Sequence, residues 1–139
     1  MRATTGIDYK GLVSFMWVAI GGAAGSCLRY ALALLFGALS FAELFPLGTF
    51  AANVLGSFGL GVVFVLGEDV NWFGTDARLF FGTGVMGGFT TYSAFNLESL
   101  GLVETGLWGR AVLYMTSTVV VCFVAGVLGL WVGRALRGN

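Results

Sequence analysis

The chain has 139 residues, of which 58% are hydrophobic and only 10% are charged. This composition lies outside the range of soluble domains and is typical of an integral membrane protein. The net charge is zero and there is no histidine, which excludes catalysis by histidine and removes the usual proton shuttle near neutral pH.

Four apolar runs predict four transmembrane helices, because the runs lack the alternation that is typical of barrel strands. They cover about residues 12–39, 46–66, 79–100 and 107–132, and each is long enough for a hydrocarbon core of roughly 30 Å. The connections are short, so residues 1–139 are predicted to form a single four-span membrane domain. More basic residues fall on the side of the two termini, which favours cytoplasmic termini.

The first predicted span contains Arg29 near its far end. A guanidinium group inside a membrane is costly unless it reaches the surface or finds a partner. Two interpretations stay open at this point. Arg29 either anchors or bonds a helix end, or it attracts anions into a water-filled vestibule.

The second predicted span carries Asn53 in its middle, with Gly56 and Ser57 on the same helical face. An amide side chain in hydrocarbon requires hydrogen-bond partners. It either joins two helices or offers its two N–H groups to an anion. The residues alone do not decide between these interpretations.

The third predicted span contains the stretch GTGVMGGFTTYSAF at 82–95. Its glycines, followed by two β-branched threonines, predict a helix break at about Gly87–Thr91. Inside a membrane such a break is tolerated only when it is buried in protein or lines a cavity, and its released carbonyls can bind a cation. The alternative is a kink that serves packing only.

Two aromatic residues, Tyr92 and Phe95, follow the break on one helical face. Their ring edges are able to face an anion, although this spacing is also typical of core packing. In the fourth span, Tyr114, Thr118 and Cys122 form a polar stripe at a spacing of four. Its hydroxyl groups either replace water around an anion or bond back to their own helix.

Taken together, these residues resemble the Fluc/CrcB family of small fluoride channels. Three blocks carry the resemblance, GGAAGSCLRY at 21–30, PLGTFAANVLGSFGLG at 46–61 and GTGVMGGFTTYSAF at 82–95, and it extends over essentially all four spans. It implies an all-α membrane protein whose third helix is broken near its middle. It also implies an antiparallel, dual-topology dimer in the cell (plasma) membrane, with two fluoride pathways beside the subunit interface.

The resemblance also assigns roles to individual residues. It implies a structural sodium ion at the dimer interface, bound by the main-chain carbonyls of Gly87 and Thr90 from each subunit. It places Arg29 in an aqueous vestibule. The residues that it assigns to the fluoride pathway are Asn53, Tyr92, Ser93, Phe95, Tyr114 and Thr118.

The predicted function is passive export of fluoride from the cytoplasm, which relieves fluoride toxicity. We expect no enzymatic activity and no nucleic-acid partner. The alternative is a proton-coupled exporter of the small-multidrug type, but that class requires an acidic residue in the first span, where this chain has Arg29 and no Asp or Glu. The chain reads TTYSAF where the family usually has TTFSTF. Because Tyr92 and Ala94 depart from this pattern, two assemblies stay open, a homodimer and a heterodimer with a homologous subunit.

Overall fold

The computed structural model describes residues 9–37, 45–68, 70–72 and 75–138. Within them, helix α1 spans Tyr9–Gly37 and helix α2 spans Leu47–Leu66. A third helical region follows, made of a π-helical segment, Arg78–Met86, helix α3, Gly87–Phe89, and helix α4, Tyr92–Glu104. Helix α5 spans Trp108–Arg137. The described residues are therefore mainly helical, in four successive helical regions.

Three of these helices, α1, α2 and α5, are long and apolar enough to cross a membrane. The predicted end of the first span, at residue 39, lies outside the described residues. Helix α5 continues five residues beyond the predicted limit at 132, to Arg137, because its last turns alternate apolar residues with arginines that suit the membrane surface. The third helical region differs from the other three because it is interrupted.

Local sequence signals explain where these helices begin and end. Pro46 precedes the first residue of α2, where its missing N–H group costs no helical hydrogen bond. Gly106, with φ of 77°, forms the turn before α5, a left-handed conformation that favours glycine. The segment between α2 and the third region contains a two-residue antiparallel pairing of strands β1, Asn71–Trp72, and β2, Thr75–Asp76.

Helices α2 and α5 pack backbone to backbone along a line of glycines. A methyl group added at Gly61 would meet the Gly126 carbonyl oxygen, and one added at Gly129 would meet the Phe58 carbonyl oxygen. One added at Gly133 would lie 2.9 Å from Val65 Cβ. Small residues allow this close approach of membrane helices, and we call this contact the α2–α5 seam.

One end of the bundle carries an ion-pair cluster at the ends of three helical segments. Glu68 lies 3.6 Å from Arg78 and also pairs with Arg137. Hydrogen bonding and the charge of Arg137, with a smaller effect of Arg78, lower the pKa of Glu68 below its ordinary value of 4.5. The cluster therefore connects the end of α2 with the start of the third region and the end of α5.

Candidate functional site

The third helical region is interrupted at two residues. Thr90 (φ −78°, ψ 154°) and Thr91 (φ −151°, ψ 116°) have extended backbone between the end of α3 and the start of α4. The preceding segment is wound as a π-helix, a rare conformation that often occurs at functional sites. The sequence predicted an interruption at about Gly87–Thr91 and gave no indication of the π-helical winding.

Asn53 of α2 replaces two backbone hydrogen bonds at this interruption. Its Oδ1 accepts from the Thr91 N–H at 2.7 Å, and its Nδ2 donates to the Thr91 carbonyl at 3.2 Å. Asn53 is buried at 9% exposure, so both bonds are shielded from solvent. This geometry matches the interpretation of Asn53 as a residue that joins two helices, and it leaves one N–H of the amide for another acceptor.

The interruption also releases carbonyl groups. In a continuous helix the N–H groups of Thr91 and Ala94 would bond to the carbonyls of Gly87 and Thr90. Here the Thr91 N–H goes to Asn53, and the Ala94 N–H donates to Thr91 Oγ1 at 3.2 Å. The carbonyls of Gly87 and Thr90 therefore lose their helical donors, and these are the two groups that the resemblance assigns to a cation.

A third carbonyl, that of Gly88, obtains substitute donors from α1. Ser26 Oγ lies 3.4 Å from the Gly88 oxygen, and Arg29 Nε lies 3.3 Å from it. Arg29 is half-buried. The structure thus places Arg29 against the interrupted helix, which matches the helix-end interpretation of this residue.

A cavity of about 340 Å³ lies beside the interruption, between α2, the third helical region and α5. Its wall is mostly apolar, with hydroxyl, amide and thiol groups at intervals. It brings together four predicted pathway residues and both predicted cation ligands. The lining residues are Asn53, Ser57, Leu60, Gly82, Met86, Gly87, Thr90, Thr91, Tyr92, Phe95, Thr118, Val119 and Cys122.

The aromatic residues form a row that leads away from this cavity. The rings of Tyr92 and Phe95 are 5.5 Å apart, those of Phe95 and Tyr114 are 5.3 Å apart, and those of Tyr114 and Phe45 are 5.1 Å apart. Tyr92 is 79% exposed in the single chain, whereas Tyr114 is fully buried. Tyr114 therefore does not line the cavity and lies behind Phe95.

Two of the predicted residues, Ser93 and Thr118, take part in local hydrogen bonds. Thr118 Oγ1 donates to the Tyr114 carbonyl of its own helix at 2.7 Å, as Ser117 Oγ does at 3.2 Å. Ser93 does not line the cavity, and its hydroxyl lies 3.1 Å from Thr91 Oγ1. Thr118 thus contributes to the cavity wall with its donor already engaged, and its hydroxyl oxygen remains an acceptor.

The structure also shows a half-buried carboxylate that the sequence analysis did not assign to the site. Glu98 accepts hydrogen bonds from Thr49 Oγ1 at 2.6 Å and from Tyr114 Oη at 2.7 Å. An ionisable residue within a membrane segment is a functional candidate in itself. That rule could have identified Glu98, but its two hydroxyl partners come from α2 and α5 and no local pattern predicts them.

Together, the helices and the interruption define a class of protein. The chain is a multi-pass helical membrane protein, and its third helical region brings backbone carbonyls, neutral donors and aromatic rings to a cavity that is open on one side in the single chain. The sequence model of the family described as CrcB-like protein, Camphor Resistance (CrcB), matches residues 16–130. The chain belongs to this family, as the three sequence blocks predicted.

Several relatives are similar over nearly their whole length. A protein of Sorangium cellulosum is 43% identical over 122 residues, which are 88% of this chain and 95% of the relative. One of Magnetococcus marinus is 41% identical over 120 residues, 86% of this chain and 97% of the relative. One of Anaeromyxobacter is 42% identical over 127 residues, 91% of this chain and the full relative. All three are named fluoride-specific ion channel FluC, which is not an enzyme class.

Proposed function

We propose that the chain is a fluoride-selective channel of the cell membrane, through which fluoride leaves the cytoplasm down its gradient. The observation that carries this proposal is the cavity at the interruption, where the amide of Asn53 and the rings of Tyr92 and Phe95 lie together. The relatives that carry the name of a fluoride channel support it. The same names give no support to a proton-coupled exporter, and helix α1 has no Asp or Glu.

The chemistry of the cavity suits a small anion that must also leave. An amide N–H and the positive edges of aromatic rings attract an anion without a full charge. Several weak contacts can replace water around the ion, whereas one fixed positive charge would hold it too firmly. We propose that fluoride passes Asn53, Tyr92 and Phe95 and continues beside Tyr114 and Thr118, with Ser93 at the edge of this route.

Glu98 is compatible with such a route because hydroxyl groups engage both of its oxygens. Thr49 and Tyr114 donate their O–H groups to the two oxygens of the carboxylate, and these hydrogen bonds offset part of its negative charge. A bare carboxylate at this depth would repel fluoride strongly, since interactions between charges are weakly screened inside a protein. The hydroxyl pair reduces that barrier.

We further propose that the carbonyls of Gly87 and Thr90 hold a structural sodium ion. Both groups have lost their helical donors, and unwound backbone carbonyls in membrane proteins are suited to sodium. Two carbonyls alone leave the coordination shell of a sodium ion incomplete, and we propose that the same two carbonyls of a second subunit complete it. When bound, the ion would neutralise the negative ends of these carbonyl dipoles.

The second subunit is expected to be another copy of this chain in the opposite membrane orientation. Tyr92 is 79% exposed and Gly87 is exposed in the single chain, although both line the cavity at the interruption. A second subunit would cover these residues and close the cavity from lipid. The antiparallel arrangement is taken from the family resemblance, and a homologous but non-identical subunit is the alternative partner.

The proposal is tested with purified protein in liposomes loaded with fluoride or chloride. We expect release of fluoride and no release of chloride, and equal release of both anions would contradict the selectivity.

Phe95→Ile should reduce fluoride release about tenfold or more, since it removes a ring edge from the pathway. The control is Phe15→Ile, because Phe15 is 69% exposed on α1 and away from the cavity; unchanged release by Phe95→Ile would remove that ring from the route.

A further inference from the structure

Helix α1 contacts the third helical region directly through its backbone. A methyl group added at Gly25 would meet the Val85 carbonyl oxygen, and one added at Gly88 would meet the Gly22 carbonyl oxygen. The two segments cannot move apart without losing this close contact, nor can they approach further. The side chains that follow Gly25 on α1 are therefore held beside the interruption.

Two of those side chains, from Ser26 and Arg29, converge on one atom. They are three residues apart and so share a face of α1, and both donate to the Gly88 carbonyl oxygen, at 3.4 Å and 3.3 Å. In a continuous helix this carbonyl would accept from the N–H of Tyr92. Donors from α1 thus occupy the acceptor that a straightened helix would need.

We propose that Arg29 is a positioning residue that keeps the third helical region interrupted, through the hydrogen bond from its Nε to Gly88. In this role the site requires the donor at Nε, and the positive charge of the guanidinium is secondary. This hydrogen bond also affects the proposed sodium site, because fixing the peptide group after Gly88 fixes the direction of the neighbouring Gly87 carbonyl. That consequence for sodium rests on the proposed function. The interruption itself does not depend on that function.

Arginine chemistry allows the donor and the charge to be separated. The side-chain amide nitrogen of glutamine is attached to Cδ, as Nε of arginine is, so Arg29→Gln keeps a donor at the same point without the charge. Arg29→Lys keeps the charge and moves the donor one atom further out. Arg29→Met ends at the position of Nε, as glutamine does, and has neither donor nor charge.

The direct experiment is hydrogen exchange of the backbone amides in residues 86–96, followed by mass spectrometry on the purified protein in nanodiscs. In Arg29→Gln, we expect the exchange rate of these amides to stay within about threefold of the rate in the unsubstituted protein. In Arg29→Lys and Arg29→Met, the rate should be about tenfold higher, since a lost bond exposes the peptide groups of the interruption. Ser26→Ala, which removes the longer bond, should give a smaller increase. If Arg29→Lys retains slow exchange and Arg29→Gln does not, the charge is what matters and the proposal is overturned.

A second measurement follows the thermal midpoint of each variant with sodium and with N-methylglucamine as the cation. Sodium should raise the midpoint of the unsubstituted protein and of Arg29→Gln equally, and should raise that of Arg29→Lys less.

Fluoride release is measured separately on the same samples. Absence of fluoride release by the unsubstituted protein contradicts the proposed function, whereas equal exchange in Arg29→Gln and Arg29→Met contradicts the positioning role. Should Arg29→Met fail to fold, the contrast between glutamine and lysine still decides.

Discussion

The α2–α5 seam and the interruption at Thr90 and Thr91 bring backbone groups of different helices together in two different ways. In the seam both helices are continuous and satisfy their own hydrogen bonds, so their contact depends on the absence of side chains at Gly61, Gly129 and Gly133. At the interruption the helix gives up its own bonds, and a side chain of α2, Asn53, replaces them. The stability of the seam therefore depends on the space between the two helices, and the stability of the interruption depends on its hydrogen bonds.

The largest effect is expected from filling the seam. Gly129→Ala places a methyl group against the Phe58 carbonyl, and the two helices must separate because neither backbone can yield. We expect the free energy of unfolding to fall by about 3 kcal/mol, at the upper end of the usual cost of overpacking. The measurement is a titration from mild detergent into SDS, with helix content as the signal.

The matched control for this substitution is Gly109→Ala. Gly109 is in the same helix, and a methyl group added there meets nothing within 4 Å. It should leave stability unchanged or raise it by about 0.5–1 kcal/mol, since alanine favours the helix. If both substitutions behave alike, the seam does not depend on close backbone contact.

The next largest effect is expected from removing the substitute bonds at the interruption. Asn53→Leu preserves the approximate volume of the side chain and leaves the N–H and carbonyl of Thr91 without their partner. Each unpaired buried group costs about 1–3 kcal/mol, and at the lower end of this range the two groups together cost about 2 kcal/mol, somewhat less than Gly129→Ala. Asn96→Leu is the control, because Asn96 is exposed on α4; an equal loss in both variants would mean that the amide of Asn53 does not support the interruption.

The two regions differ in how far the sequence predicted them. Apolar run lengths predicted the helical regions, because the membrane leaves the backbone few alternatives, and glycine and threonine content predicted an interruption between Gly87 and Thr91. The replacement partners were not predicted, since Asn53 lies 38 residues from Thr91 and Arg29 lies 59 residues from Gly88. Side-chain partners so distant in the chain depend on how the helices pack. Local patterns do not contain that information.

A substitution at Gly56 of α2 tests whether the available space also matters beside the interruption, where hydrogen bonds hold the helices together. A methyl group added there would meet Cγ2 of Thr90, which is the end of a short side chain and not backbone. Gly56→Ala should therefore cost less than Gly129→Ala, about 1–2 kcal/mol. The same unfolding titration measures this difference.

A compensating substitution makes this prediction specific. Thr90→Ser removes Cγ2 and keeps the hydroxyl that donates to the Met86 carbonyl at 3.0 Å. The double variant, Gly56→Ala with Thr90→Ser, should recover most of the stability, so the two effects should be clearly non-additive. Additive losses would show that the methyl group at residue 56 disturbs something other than Thr90.

The smallest effect is expected outside the membrane, where the cluster of Glu68 with Arg78 and Arg137 uses full charges in place of close contact or neutral hydrogen bonds. The two arginines lower the pKa of Glu68 in the folded protein below its ordinary value of 4.5. A carboxylate whose folded pKa is lowered stabilises the fold above its unfolded pKa, and this contribution disappears as the pH falls through the folded value. The difference in thermal midpoint between the unsubstituted protein and Glu68→Gln should thus be constant from pH 7 to about pH 5 and should shrink below about pH 4.5. The control is Glu104→Gln, which removes an exposed carboxylate of α4 outside this cluster, and equal effects of the two substitutions would contradict a specific role of Glu68. If the difference for Glu68→Gln persists unchanged at pH 3, the carboxylate acts through its shape and not through its charge. Because the cluster is solvent-exposed, the whole effect should also weaken at high salt.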